Sequence, residues 1–400
     1  MSNWDSRVLG GTLLVIGTSI GGALLVLPIA NASSGLFNSS LFLILSWALM
    51  TFTGFLMLEV NLWLPPGSNM ISMAKATLGR GGQVIAWIFY CLLLYTLLSA
   101  YTAGGADVLQ NLASLVHWDL PQWQAAILFS VLLGYVVFLG IRSVDLVNRG
   151  LMAGKLGIYF LLIILIAPYF DVTRVLNGEL SHITGTVMLM IVSFGFGSII
   201  PSLRAYLDDN VRKLRIVLLL GTLVPLICYI AWDSVIMSTV PTVDLIAMNQ
   251  SSHAATDLIN ALRDYVGSDV ITSAYRIFTS VCVLTAFLSV SLSLVDFLSD
   301  GLRMPKKGKQ SLLLHVIALL PPLLIVLFYP GVFLSALTYA GIICLILLAL
   351  LPILMVWRGR YQLPALQGQA NHYQVKGGKG SLILALIATI ILLGIASQQL

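Results

Sequence analysis

Two short tracts rich in glycine and hydroxyls interrupt long apolar stretches: Gly17-Thr18-Ser19-Ile20-Gly21-Gly22 and Ser193-Phe194-Gly195-Phe196-Gly197-Ser198. Glycine weakens a helix by about 1 kcal/mol relative to alanine, so each cluster predicts a break in a helix that would otherwise continue. One tract alone, with Gly17 and Gly21 four apart, could simply mark close helix packing. Two of them are harder to explain that way. A break leaves main-chain N–H and carbonyl groups without intrahelical partners. Free N–H groups at the start of a half-helix attract an anion, and free carbonyls at the end of one attract a cation. A solute carrying ammonium and carboxylate on one carbon fits between them. The carboxylate is expected at the amides of Ser19 to Gly22, helped by the Thr18 and Ser19 hydroxyls. The ammonium is expected at the carbonyls of Ile16 or Gly17 and of Ser193 to Gly195. Candidates for the side-chain cavity are Phe194 and Phe196, Tyr95 and Ser99, Thr285 and Ser289, and Tyr339. An aromatic contact adds about 0.5–1.5 kcal/mol beyond area. With 38 aromatics in the chain, most must serve packing or the membrane interface.

Ionisable groups within apolar segments are costly and mark function. Five stand out: Glu59, Asp107, Lys155, Asp233 and Asp296. Glu59 and Asp296 fall near inner ends of their segments and join Lys155 as candidates for proton coupling. Asp107 and Asp233 fall toward outer ends and read as helix-end charges. Lys155 sits between Gly154 and Gly157, a small-residue face that lets its helix approach the first one closely. A desolvated ammonium there could alternate between charged and neutral as a pocket opens and closes. Sodium would instead need carbonyls of the first helix and oxygens such as those of Thr285, Ser289 and Ser293, so sodium coupling stays open; a nearby lysine charge opposes it.

These residues must be positioned by helices in lipid. Of 400 residues 58% are apolar and 9% charged, against roughly 25% charged in a soluble domain, which leaves too little polar surface for a soluble protein. Stretches of about 20 apolar residues, enough to cross a hydrocarbon core as helix, recur at 8–30, 38–63, 84–112, 123–141, 151–170, 184–203, 214–238, 271–298, 311–329, 331–357 and 381–397. They lack the alternation of barrel strands. Lys and Arg favour cytoplasmic loops. With the N-terminus inside, 18 fall inside and only Arg174, Arg263 and Arg276 outside, so the expectation is N-inside and, with eleven spans, C-outside. The run after Arg7 resembles a secretory signal, with Ala30-Asn31-Ala32 as a mock cleavage site, but it is too long and glycine-broken. Between Pro241 and Val270 the outer connection should hold one or two short surface helices. The tract from Gln367 to Gly380 reads as a flexible inner loop.

The broken spans are the first and the sixth. Five is odd, so the second set of five enters the membrane from the opposite side, an inverted pair. The expected division is 1–170 and 171–360 for the two repeats, with 361–400 as inner loop and a peripheral eleventh span. Four cysteines show no CxxC pair and no Cys/His cluster, so neither a disulfide framework, a zinc site nor another cofactor is expected. The +5 charge is dispersed between apolar segments, which disfavours nucleic acid as a partner. No P-loop is present, hence no ATP-driven motor. No paired His/Asp or Ser/His constellation supports an intramembrane enzyme. A channel would favour a continuous polar pore. Asp145 and Arg149, and Arg204 and Asp208, are spaced for inner-surface ion pairs, and the five histidines lie mostly in loops or at span ends.

The chain also resembles the hydroxy and aromatic amino acid permeases of the amino acid–polyamine–organocation superfamily. The likeness rests on Gly10-Gly11-Thr12, Gly17-Thr18-Ser19-Ile20-Gly21-Gly22-Ala23 with Leu27-Pro28, Ser193-Phe194-Gly195-Phe196-Gly197, and Asn148-Arg149-Gly150 with Lys155. It implies the five-plus-five inverted repeat of the leucine-transporter type and proton-driven symport of aromatic amino acids, tyrosine first, across the bacterial inner membrane. It further implies that Lys155 takes the place where sodium-driven relatives hold a cation. Rejecting phenylalanine in favour of tyrosine requires a buried partner for the phenol. The sequence offers several hydroxyls and no means of choosing among them.

Overall fold

The computed structural model describes residues 3–175, 178–251, 253–363 and 373–398. Among these the regular structure is helical throughout, with no strand. The first half comprises α1 (Asn3–Ser19), α2 (Ala23–Asn31), α3 (Leu36–Leu62), α4 (Met70–Ser114), α5 (Gln122–Phe138) and α6 (Ile141–Ile166). After the short α7 (Val172–Val175) follow α8 (Val187–Ser193), α9 (Ile200–Tyr206), α10 (Val211–Thr239), α11 (Thr242–Asn249) and α12 (Ala254–Val266). The chain continues through α13 (Asp269–Leu302), α14 (Gly308–Phe328), α15 (Phe333–Cys344), α16 (Leu351–Tyr361) and α17 (Gly378–Ala396).

Among the described residues eight helices, with α8–α9 and α15–α16 each taken as one, are long and apolar enough to cross a membrane, or nine with the bent pair α1–α2 counted as one. The shorter α5 and the stretch Gly154–Tyr169 are also apolar. Each apolar segment read from the sequence thus falls on a helix or a broken pair. Surface side chains such as Phe328, Leu384 and Ile164 are 75%, 70% and 69% exposed, the outward face that a hydrocarbon solvent requires. At 45 residues α4 would measure about 68 Å at the α-helical rise, more than twice the hydrocarbon thickness. It is divided at Gly79, whose φ of +78° belongs to the left-handed region that glycine enters without a Cβ clash. The connection between α10 and α13, expected to carry one or two short helices, forms α11 and α12, the latter with one face buried.

Packing follows a pattern. α1 lies against α10, while α8 and α9 lie against α3; α6 lies against α13, while α15 and α16 lie against α4. Where α10 meets α13, Trp232 stacks on Tyr275 at 5.7 Å between ring centroids, with Tyr159 of α6 and Phe278 closing an aromatic core. α17 rests on α16 and the Leu345–Leu350 turn at the rim.

Candidate functional site

Both glycine tracts are broken. α1 ends at Ser19, α2 begins at Ala23, and the two helices bend by 52°. α8 ends at Ser193, and the chain passes through Phe194 and Gly195 into a 3₁₀ turn, Phe196–Ile199, before α9. At the first break the Gly21 amide has no hydrogen-bond acceptor among the described residues. Gly22 permits a close approach, since a Cβ there would stand 2.8 Å from the Tyr101 ring of α4 and 3.4 Å from Phe333 of α15.

The breaks meet through one side chain. Tyr229 of α10, fully buried, donates its hydroxyl to the Ser19 carbonyl at 2.6 Å and lies 3.1 Å from the Ser193 carbonyl. Its ring stands edge-on to Phe194 at 5.5 Å. Lys155 of α6, 2% exposed, donates from Nζ to the Ile20 carbonyl. The Ser19 hydroxyl, 5% exposed, has no partner among the described residues. The result is a compact set of bare or singly satisfied main-chain groups from both broken helices, held by a phenol and an ammonium.

The expected residues divide accordingly. Ser19, Ile20, Gly21, Gly22, Ser193, Phe194 and Gly195 line the two breaks, with Gly17 one turn before the first, and Lys155 reaches them. Thr18 does not: it is exposed, and its hydroxyl returns to the Val15 carbonyl at 2.8 Å, because α1 remains helical through Ser19 and carries it to the outer face. The same continuity engages the Ile16 carbonyl with the Ile20 amide at 2.8 Å, so it is not free for an ammonium. Phe196 packs on Gly54 of α3, where a Cβ would come within 2.8 Å of the ring. Tyr95 donates to the Ile317 carbonyl of α14 at 2.8 Å, and Ser99 returns its hydroxyl to Tyr95. Thr285 bonds back to Val281, and Ser289 and Ser293 are exposed. Tyr339, 44% exposed, lines a separate cavity of about 520 Å³ with Ala30, Leu189, Asn249 and Thr338.

Two of the three expected proton-exchanging groups are otherwise engaged. Glu59, wholly buried, receives Arg360 Nε at 2.7 Å, Arg360 Nη2 at 2.5 Å and the Val375 amide at 2.8 Å. These donors satisfy both oxygens and make it a clamp between α3 and α16. Asp296 is a surface residue, 43% exposed and paired with Lys306. The expected Arg204–Asp208 pair is replaced. α9 stops at Tyr206, and Asp208 and Asp209 take φ of 51° and 58°, which ends the i,i+4 register. Asp208 then pairs with Arg7 of α1, and Arg204 with Asp209 at 2.5 Å and with the carbonyls of Asn61 and Leu64. The Asp145 and Arg149 side chains lie outside the described ones, as do His372 and residues 367–372 of the inner loop. On the other face His253, capping α12, meets Asp107 of α4 at 2.9 Å. That hydrogen bond raises the imidazole pKa above its ordinary value.

Tyr229 and Tyr101 were not evident in the sequence. Both are tyrosines deep within apolar segments, a position where a phenol needs a buried partner; that was the available signal.

Helices of this number, length and apolarity define a multi-pass membrane protein. The chain belongs to the tryptophan/tyrosine permease family, whose match runs over residues 5–396. It is therefore an amino acid transport protein of the bacterial inner membrane, not an enzyme. Among curated proteins it is 30% identical to tyrosine-specific transport system 2 of Haemophilus influenzae, covering 97% of this chain and 95% of that one. It is 32% identical to tyrosine-specific transport system 1 of the same organism, over 98% and 96%. Glutamine transporter 2 of Aliivibrio fischeri is 29% identical over 97% and 98%.

Proposed function

We propose that this protein imports aromatic amino acids, tyrosine first, together with protons, by alternating access around the two breaks. The observation that carries this reading is the Tyr229 hydroxyl placed between the Ser19 and Ser193 carbonyls: main-chain groups from two interrupted helices converge on one point. There the α-ammonium replaces the phenol on these carbonyls, the carboxylate takes the amides around Gly21 and Gly22, and Phe194 meets the side chain.

Eleven spans in a five-plus-five inverted repeat, residues 1–170 and 171–360 with 361–400 peripheral, are supported by the packing. The contact of α1 with α10 has its counterpart five spans on in α8 and α9 with α3, and that of α15 with α4 corresponds to α6 with α13. N-inside, C-outside orientation is supported by the 18-to-3 split of basic residues. Proton coupling is supported by Lys155, whose ammonium occupies a span-one carbonyl of the kind a sodium ion would need; Ser289 and Ser293 turn outward from that place. The two tyrosine-specific transport systems named above support tyrosine. The glutamine transporter keeps a polar amino acid as the second reading.

Uptake of radiolabelled tyrosine into proteoliposomes, under a pH gradient and under a sodium gradient in parallel, tests the reading. Proton-driven uptake abolished in Lys155→Ala is expected. Acceleration by sodium at constant pH, or retained proton-driven uptake in that variant, refutes the coupling.

A further inference from the structure

We propose that Asp233 is a proton-binding site whose loaded form clasps the outer half of the first broken span to α10. The role in transport rests on the proton-coupled reading above; the site itself does not.

Asp233 lies one turn beyond Tyr229 on α10 and is 0% exposed. Its Oδ2 accepts a hydrogen bond from Asn31 Nδ2 at 2.7 Å, at the last residue of α2. Asn31 is likewise 0% exposed. Two acceptors of this pair, Asp233 Oδ1 and Asn31 Oδ1, have no partner among the described residues. A carboxylate accepts only, so an ionised Asp233 leaves the Asn31 carbonyl oxygen without a donor. One proton on Oδ1 changes that. The carboxylic O–H donates to the amide oxygen while the amide N–H donates to the other carboxyl oxygen, and a single donor accounts for both orphan atoms.

No cation among the described residues neutralises the carboxyl instead. Among the groups on helices packed against α10, Tyr159 of α6 is near enough to sense Asp233, but its hydroxyl goes to the Cys228 carbonyl at 2.8 Å. Lys155 of α6 is held by Ile20, Arg174 of α7 by Thr239 and Asp171, Glu59 of α3 by Arg360, and Arg7 of α1 by Asp208. α2 has no titratable residue. Of α12, Asp257 and Asp264 are themselves acids, Arg263 is exposed and Tyr265 is held by Asp244, while Tyr169, after α6, is 43% exposed. Ala30, the residue before Asn31 in α2, lines the cavity of about 520 Å³, and the proton is proposed to enter from that side. Loading from that side completes the amide–acid pair and fixes α2; release removes one of its two hydrogen bonds.

Infrared difference spectra of the purified protein in lipid, between acidic and alkaline pH, read the site directly. The wild type should show the C=O stretch of a buried protonated carboxyl. Asp233→Asn should abolish that band, Asn31→Ala should shift it, and Asp233→Glu should restore an acid band. A band unchanged in Asp233→Asn overturns the proposal, as does one unmoved in Asn31→Ala, the arm that stands if Asp233→Asn does not fold. In proteoliposomes Asp233→Asn should keep tyrosine counterflow and lose acceleration by an inward proton gradient; wild-type acceleration in that variant overturns the coupling role. Wild-type uptake indifferent to the pH gradient, with the band present, sinks the proton-coupled reading and leaves the site standing.

Discussion

Replacing Tyr229 with phenylalanine isolates one hydroxyl, because the ring that stands against Phe194 remains. That hydroxyl has a single proton to share between carbonyls at 2.6 and 3.1 Å, so it is worth about one net hydrogen bond, roughly 0.5–1.5 kcal/mol. If the substrate ammonium must displace it, this free energy is subtracted from binding. Removing it should then tighten tyrosine binding by about 2- to 12-fold, on the scale of tenfold per 1.4 kcal/mol. The substrate-free protein should meanwhile lose stability, since two buried carbonyls are left without a donor. Equilibrium binding of labelled tyrosine to the purified variant, with thermal midpoints measured with and without substrate, gives both quantities. A higher substrate-free midpoint, or affinity that is unchanged or weaker, would show that phenol and ammonium do not compete, and the placement of the ammonium would be wrong.

Glu59→Gln should destabilise by about 3–5 kcal/mol, the cost of leaving a buried charge unpaired, read as a lower unfolding midpoint with the tyrosine KM retained; an unshifted midpoint with proton-driven uptake abolished would return Glu59 to the coupling machinery. His253 is held above its ordinary pKa of 6.5 chiefly by its hydrogen bond to Asp107. Its clasp on α4 is therefore complete below that pH and is lost as pH rises through the raised value. Hydrogen exchange across Ala254–Val266 should accelerate over that interval in the wild type and show no such step in His253→Gln. Phe194→Ala should weaken aromatic substrates more than alanine or serine in competition assays, and equal losses would remove Phe194 from the pocket.

The helical bundle and both interruptions were legible in the sequence, because hydrocarbon admits few backbone solutions and glycine clusters in apolar runs disclose where the helix fails. Much of the cavity wall was not. Thr18 and Phe196 adjoin the breaks along the chain, but side-chain direction depends on the residue at which the helix ends, and α1 runs to Ser19. Tyr95 and Ser289 have suitable chemistry on suitable spans, yet helix rotation within a bundle is set by neighbours far away in sequence. Tyr229 escaped notice because a phenol in an apolar run resembles any packing aromatic until its acceptors, 210 and 36 residues away, are brought beside it. Glu59 was misread for the same reason, its guanidinium partner lying 301 residues on.

The two faces of the bundle are fastened unequally. Toward the N-terminus of α1, Arg7 holds Asp208, and the buried Arg204 grips Asn61, Leu64 and Asp209; at the opposite face the part-exposed His253 meets the buried Asp107, Asn111 meets Thr256, and Arg174 reaches the Thr239 carbonyl, the fastenings being spread over separate short segments. If the proposed orientation and alternating access hold, the Arg204 set is the lock on the cytoplasmic door, and weakening Arg204 should show first as futile slippage and only later as lost capture.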